Sequence, residues 1–230
     1  MLINRSGTMV LPFLTVYLTT QRGFTLEQAG WAMTCFGLGS VAGSFLGGKL
    51  TDKTGYYNVQ FWSLLLGGVM FLLLGYMHSL WKIYVMVFIL SLTVEAFRPA
   101  SMTAVAVYSR PENRTRSFSL LRLAINLGWS AGPAIGGWLA AYCGYYMLFY
   151  ADGFTCISAA FVFRIFLSKK EPAESVREKE EASAPAVSAY RDRRFLFFLF
   201  LTILGAIAFM QFLSTLPVFY KQQGLSEGHI

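Results

Sequence analysis

Gly48-Lys49-Leu50-Thr51-Asp52-Lys53-Thr54-Gly55-Tyr56-Tyr57 is a short polar run set between two long apolar stretches. It places a carboxylate, lysine and glycine where one hydrophobic helix is expected to end and the next to begin. The spans on either side are read outward from this boundary.

Hydrophobic residues make up 55% of the chain and charged residues 13%. A soluble domain carries about a quarter charged residues. The few charges here are clustered, which leaves uncharged stretches of the about 20 residues that a bilayer demands. One such stretch could be the core helix of a soluble protein; six in series could not. The net charge of +7 raises the question of nucleic acid, but the basic residues fall in loops and leave no basic face elsewhere, so no nucleic-acid partner is expected. Loops on the cytoplasmic side of membrane proteins are enriched in Lys and Arg. Cys35, Cys143 and Cys156 lie in or beside apolar runs and have neither disulfide nor metal spacing. No cleavable signal pattern is read, because Asn4-Arg5-Ser6-Gly7 interrupts the first apolar run.

Spans are expected at 1–20, 30–50, 59–77, 82–108, 117–142, 146–167 and 194–220. The fold class is therefore an all-α integral membrane protein. The apolar part of the first span, Thr8 to Leu18, is too short for a bilayer of about 30 Å, so the expectation is a chain that starts inside a helix. Lys221 to Ile230 reads as a loop leading toward a further helix. Lys49 and Lys53, then Arg110, Arg114 and Arg116, then seven Lys and Arg between 169 and 194 occupy every second connection. Loops 48–58, 109–117 and 168–193 are therefore assigned to the cytoplasm. Trp81 and Tyr142, Tyr145 and Tyr146 fit aromatic anchors at the opposite interface. Ser168 to Arg194 is rich in Glu, Lys, Ala, Ser and Pro and reads as a flexible linker, partly helical around Glu174 to Glu181. Three units are expected: a six-span bundle over 1–167, a charged linker over 168–193, and a seventh span with its following extracytoplasmic loop over 194–230. Thr19 to Thr25 and Tyr220 to Ser226 resemble each other, with Gln and Gly in register, as parallel repeats of two halves would.

Span five contains Gly128-Trp129-Ser130-Ala131-Gly132-Pro133-Ala134-Ile135-Gly136-Gly137. Glycines at i, i+4 and i+8 form a ridge that lets another backbone approach, and Pro133 removes a helix hydrogen bond. A packing seam would account for this alone. Gly39, Gly43 and Gly47 form a second ridge in span two. Gly37 to Gly43 mimics a dinucleotide fingerprint, but it lies inside an apolar helix without the strand and polar phosphate site that fingerprint needs.

The two polar and glycine-rich runs together resemble the major facilitator superfamily of secondary transporters. Residues 48–55 follow its loop pattern, Gly-x-x-x-Asp-Arg/Lys-x-Gly, through Gly48, Asp52, Lys53 and Gly55; Tyr56 and Tyr57 stand where a basic pair is usual. Gly128, Gly132, Pro133, Gly136 and Gly137 match the Gly-x-x-x-Gly-Pro-x-x-Gly-Gly motif of facilitator antiporters, including drug–proton exporters. The resemblance implies the first six-helix half of such a transporter, its linker and its seventh helix, in the cell membrane. It implies alternating access around a midplane site, driven by an ion gradient, chiefly protons, since no P-loop pattern is present. Export of a small, drug-like solute is the first expectation. Uptake of a sugar, organic acid or peptide is the alternative, and a seven-span receptor the alternative of another class. In the superfamily the 48–55 loop latches the cytoplasmic side closed, partly through the second half, so the missing half or another chain is an expected partner.

Ionisable groups inside spans are costly and default to functional candidates. Arg5 lies roughly 22 Å from the outer end of span one at about 1.5 Å per residue. Glu95 and Arg98 are neighbours on one face of span four, as are Arg122 and Asn126 on span five; Asp152 lies in the outer third of span six. These six are the candidate cavity residues, with Arg122 nearer the cytoplasmic mouth. A Glu95–Arg98 pair that only fixes packing is the plainer alternative. Proton coupling needs a carboxylate that gains and loses its proton within the cycle, and Glu95 and Asp152 are the acidic residues placed for it. The sequons at Asn4 and Asn113 fall in a span and a cytoplasmic loop, where glycosylation is not expected. His78 and His229 stand alone in loops. No metal, cofactor or catalytic constellation is expected.

Overall fold

The structure, a computed structural model, describes residues 9–169 and 192–223. Arg5, the Asn4 sequon, the helical expectation at 174–181, positions 224–226 of the repeat and His229 lie outside the described residues. The helices are α1 (Val10–Thr20), α2 (Leu26–Thr54), α3 (Tyr56–Gly75), α4 (Leu80–Glu95), α5 (Phe97–Tyr108), α6 (Arg114–Cys143), α7 (Tyr146–Phe166) and α8 (Arg193–Gln222). Among the described residues, α2, α3, the α4–α5 pair and α7 are long and apolar enough to cross a membrane.

The polar run that defines the boundary is not a loop. Thr25 and Gln28 form a capping box that starts α2 earlier than expected, and the helix then continues to Thr54. Two hydroxyls turn inward to it, Thr51 Oγ1 donating to the Gly47 carbonyl (2.7 Å) and Thr54 Oγ1 to Leu50 (2.8 Å). Lys53 in the last turn complements the negative end of the helix. Gly55 alone makes the corner. Its φ of 85° and ψ of 148° end α2 and begin α3, in a region that an L side chain enters at a cost of about 1–3 kcal/mol. Gly55→Ala is therefore expected to destabilise the purified protein by about that amount in thermal unfolding, although a Cβ there would meet nothing within 4 Å. An unchanged melting temperature would show that the corner relaxes freely.

Span four is also unlike its expectation. One continuous helix was expected over 82–108, but Ala96 separates α4 from α5. The cause is Pro99, whose ring nitrogen cannot donate to the Glu95 carbonyl and whose ring crowds it. Pro133, by contrast, lies inside the unbroken α6.

Van der Waals packing and close backbone approach hold membrane helices together, and glycines set where that happens. The Gly39, Gly43 and Gly47 ridge of α2 lies against Phe88, Leu92 and Ala96 of the α4–α5 span. α3 and α7 cross at Gly68 and Gly153: a Cβ on Gly68 would come within 2.7 Å of the Gly153 carbonyl oxygen. α1 is the central helix. Every residue from Val10 to Leu18 is buried except the half-buried Leu11, and α2, α6, α7 and α8 all contact it.

The end of the bundle opposite Gly55 is tied by a residue the sequence presents only as a loop charge. Arg22 donates to the Tyr17 hydroxyl (2.7 Å) and the Gly75 carbonyl (3.0 Å), and lies over the rings of Tyr17 and Tyr146. Tyr145 is not an interfacial anchor: it is 4% exposed and packs on Tyr17 with ring centres 6.1 Å apart. Trp81, Tyr142 and Tyr146 are exposed, as an aromatic belt requires.

Candidate functional site

A cavity of about 650 Å³ opens beside the break in span four and is lined from α1 through α7. Its wall is mostly apolar, with Phe36, Phe45, Phe71 and Trp129 among the aromatic side chains, and its polar groups are Ser40, Ser44, Glu95, Arg98 and Asp152. The two serines stand one residue after Gly39 and Gly43, so the backbone approach that the glycines allow also brings these hydroxyls to the cavity edge.

Glu95 and Arg98 flank the proline-made break. Arg98 Nε lies 3.4 Å from the Glu95 carboxylate; the Glu95 side chain is 12% exposed and the Arg98 side chain 57%. A single contact with a largely exposed partner adds little to stability, so stability does not account for a carboxylate held at the cavity wall.

Asp152 is placed differently. It is fully buried, and its oxygens accept from the Met9 N–H (3.0 and 3.1 Å) and the Val10 N–H (2.8 Å). The carboxylate thus caps the start of α1, where the helix dipole favours negative charge. Gly136 of α6 meets the same point. Gly128, Gly132, Gly136 and Gly137 are buried, and a Cβ on Gly136 would lie 3.1 Å from Met9 Cβ and 3.3 Å from Phe13. The glycine ridge lets α1 come close, and α7 holds its first amides.

Arg122 and Asn126 are exposed on α6 and are not among the residues lining this cavity; Trp129, three residues on from Asn126, is. The structure therefore brings together Glu95, Arg98 and Asp152 and leaves the α6 pair outside. Sequence reasoning missed Trp129, Ser40 and Ser44, which carry no charge to draw notice inside a span. Among the described residues no group of three His, Cys, Asp or Glu side chains could hold a metal ion.

At the Gly55 end, Asp52 and Lys53 are exposed and make no hydrogen bond or ion pair among the described residues. A carboxylate in the last turn of α2 faces the unfavourable pole of the helix, so its own helix gives no reason for it. Tyr56 and Tyr57 turn inward instead of standing as a polar pair. Tyr56 is 4% exposed and meets Tyr108 edge-on at 5.9 Å, and Tyr57 packs on Phe163 at 4.8 Å.

The family profile described as Major Facilitator Superfamily matches residues 2–230. The chain belongs to the Major Facilitator Superfamily. It is a multi-pass membrane protein of a transporter superfamily, not of an enzyme family. Similar proteins include an uncharacterized MFS-type transporter, YqjV, of Bacillus subtilis, 30% identical over 56% of this chain and 32% of the relative. A multi-drug resistance efflux pump PmrA homolog of Lactococcus lactis is 24% identical over 63% of this chain and 36% of the relative. A Na(+), Li(+), K(+)/H(+) antiporter of Planococcus maritimus is 26% identical over 96% of this chain and 55% of the relative. The chain spans about half or less of the length of these curated relatives.

Proposed function

We propose that the complete protein moves a small, largely apolar solute out of the cell in exchange for protons, by alternating access around the 650 Å³ cavity. In this reading residues 1–167 are the first half of the transporter, 168–193 the cytoplasmic linker and 194–230 the opening of the second half. The second half, or another chain, closes the cavity. Glu95 facing a mostly apolar cavity at a helix break carries the proposal. An apolar wall with a few placed polar groups suits an organic solute, and it favours drug-like cargo over the inorganic cations named for the Planococcus antiporter.

The chemistry asked of the pair is simple. Charged Glu95 holds Arg98; a proton on Glu95 dissolves the ion pair and frees the guanidinium, and loss of that proton restores it. Gly48, Asp52 and Lys53, with Gly55 ending the helix, form the cytoplasmic latch, and the exposed Asp52 awaits a basic or helix N-terminal partner in the other half.

The test uses the full-length transporter in proteoliposomes. Glu95→Gln is expected to lower flux driven by a pH gradient by about tenfold or more, the effect of losing about 1.4 kcal/mol at the rate-limiting barrier, while solute binding at fixed pH persists. Undiminished gradient-driven flux would remove Glu95 as the carrier.

A further inference from the structure

A second groove lies at the Gly55 end of the bundle, away from the cavity. Its volume is about 910 Å³, and residues of α3, α5, α6 and α7 and of the connection after α5 line it. Its long wall is apolar, including Leu120, Val162 and Leu167, and its mouth carries Arg110 and Asn113. Leu120 and Val162 are exposed. One buried polar atom on the groove wall has no hydrogen-bond partner among the described residues: Gln60 Oε1, in a residue 4% exposed. The connection from Arg110 to Arg116 holds three arginines against one carboxylate, Glu112, and the side chain of Arg110 makes no hydrogen bond or ion pair among the described residues. The positive-inside rule places this end at the inner leaflet.

We propose that this groove is a binding site for one anionic phospholipid of the inner leaflet. The phosphate meets Arg110 and Asn113. One acyl chain runs along Leu120, Val162 and Leu167. A headgroup that also carries a hydroxyl, as phosphatidylglycerol does, offers Gln60 Oε1 its donor. Basic pockets between helices on this side of a membrane have the charge and depth for such headgroups. The occupant is a lipid rather than free phosphate because the larger part of the groove is hydrocarbon wall, which an inorganic ion leaves empty.

The full-length protein in nanodiscs mixing phosphatidylglycerol with phosphatidylcholine, read by native mass spectrometry after release, tests this. One retained phosphatidylglycerol per chain is expected, with retention reduced about fivefold by Arg110→Gln, the effect of one arginine at a membrane surface. Val162→Trp, which fills the groove and leaves every charge in place, is expected to reduce it as well. Arg194→Gln removes the same charge from the start of α8 and is expected to change nothing. Equal loss in Arg194→Gln and Arg110→Gln would reduce the effect to diffuse attraction and overturn the site. Displacement by millimolar inorganic phosphate would overturn the lipid assignment, as would full retention in Val162→Trp. None of these outcomes depends on Glu95 or on transport.

Discussion

Gly43→Leu is expected to be among the most damaging single changes in this protein. A Cβ at Gly43 would lie 2.7 Å from Leu92 Cα and 2.8 Å from its carbonyl carbon. These are backbone atoms, which no rotamer change can move aside. The contact sits mid-way along the α2–α4 seam, with Gly39 and Gly47 equally tight on either side, so the helices must part along the whole ridge. Overpacking a close interface costs about 1–3 kcal/mol and occasionally more. At about 2–4 °C per kcal/mol for a chain this size, the melting temperature in detergent should fall by roughly 2–12 °C, and expression should fall with it. Gly37→Leu is the control: it lies on the same helix, and a Cβ there meets nothing within 4 Å. Replacing an interior helical glycine should help by up to about 1 kcal/mol. If both variants melt alike, the ridge is not what sets the α2–α4 distance.

The same ridge shows what the sequence discloses. Hydropathy and charge placed α2, α3, the α4–α5 pair and α7, because these runs have the length and apolar character that a bilayer requires. The i, i+4 glycines of α2 were legible as packing, because their meaning depends only on helical periodicity. The extent of α2 was not. Residues 51–54 are polar and read as loop, yet their threonine hydroxyls bond to their own helix. The break at Ala96 escaped notice because Pro99 acts on a carbonyl four residues earlier. In the cavity, Glu95 and Arg98 were legible as costly charges at neighbouring helical positions. The partners of Asp152 were not, since they are backbone amides 143 and 142 residues away and amides carry no sequence signal. Arg122 and Asn126 share a helix face as expected, but periodicity alone does not say which way that face turns.

Asp152 carries the second large prediction. Asp152→Leu leaves the Met9 and Val10 amides facing a nonpolar side chain, and a buried amide without an acceptor costs about 1–3 kcal/mol. With two such groups, the loss should be about 2–6 kcal/mol, read as a lower melting temperature and faster hydrogen exchange at residues 9–13. Asp152→Asn keeps one carbonyl oxygen in place and should cost about 1 kcal/mol, which makes it the variant in which to measure transport. Normal gradient-driven flux in Asp152→Asn would identify the carboxylate as a clamp on α1 and leave proton carriage to Glu95. If Asp152→Leu melts like the unaltered protein, the clamp has no energetic weight.

The corner at Gly55 has a mechanical consequence. α2, about 43 Å long at 1.5 Å per residue, passes into α3 through one residue, so the joint has almost no slack. Gly55 can turn about its own φ and ψ, so the corner passes a displacement of the α2 end to the start of α3 but leaves their angle to the packing around them. The connection from Ser109 to Asn113, five residues between α5 and α6, is longer than this corner. An axial pull on α2 would therefore reach α3 at once, whereas a pull on α5 must first take up the slack of five residues before it reaches α6.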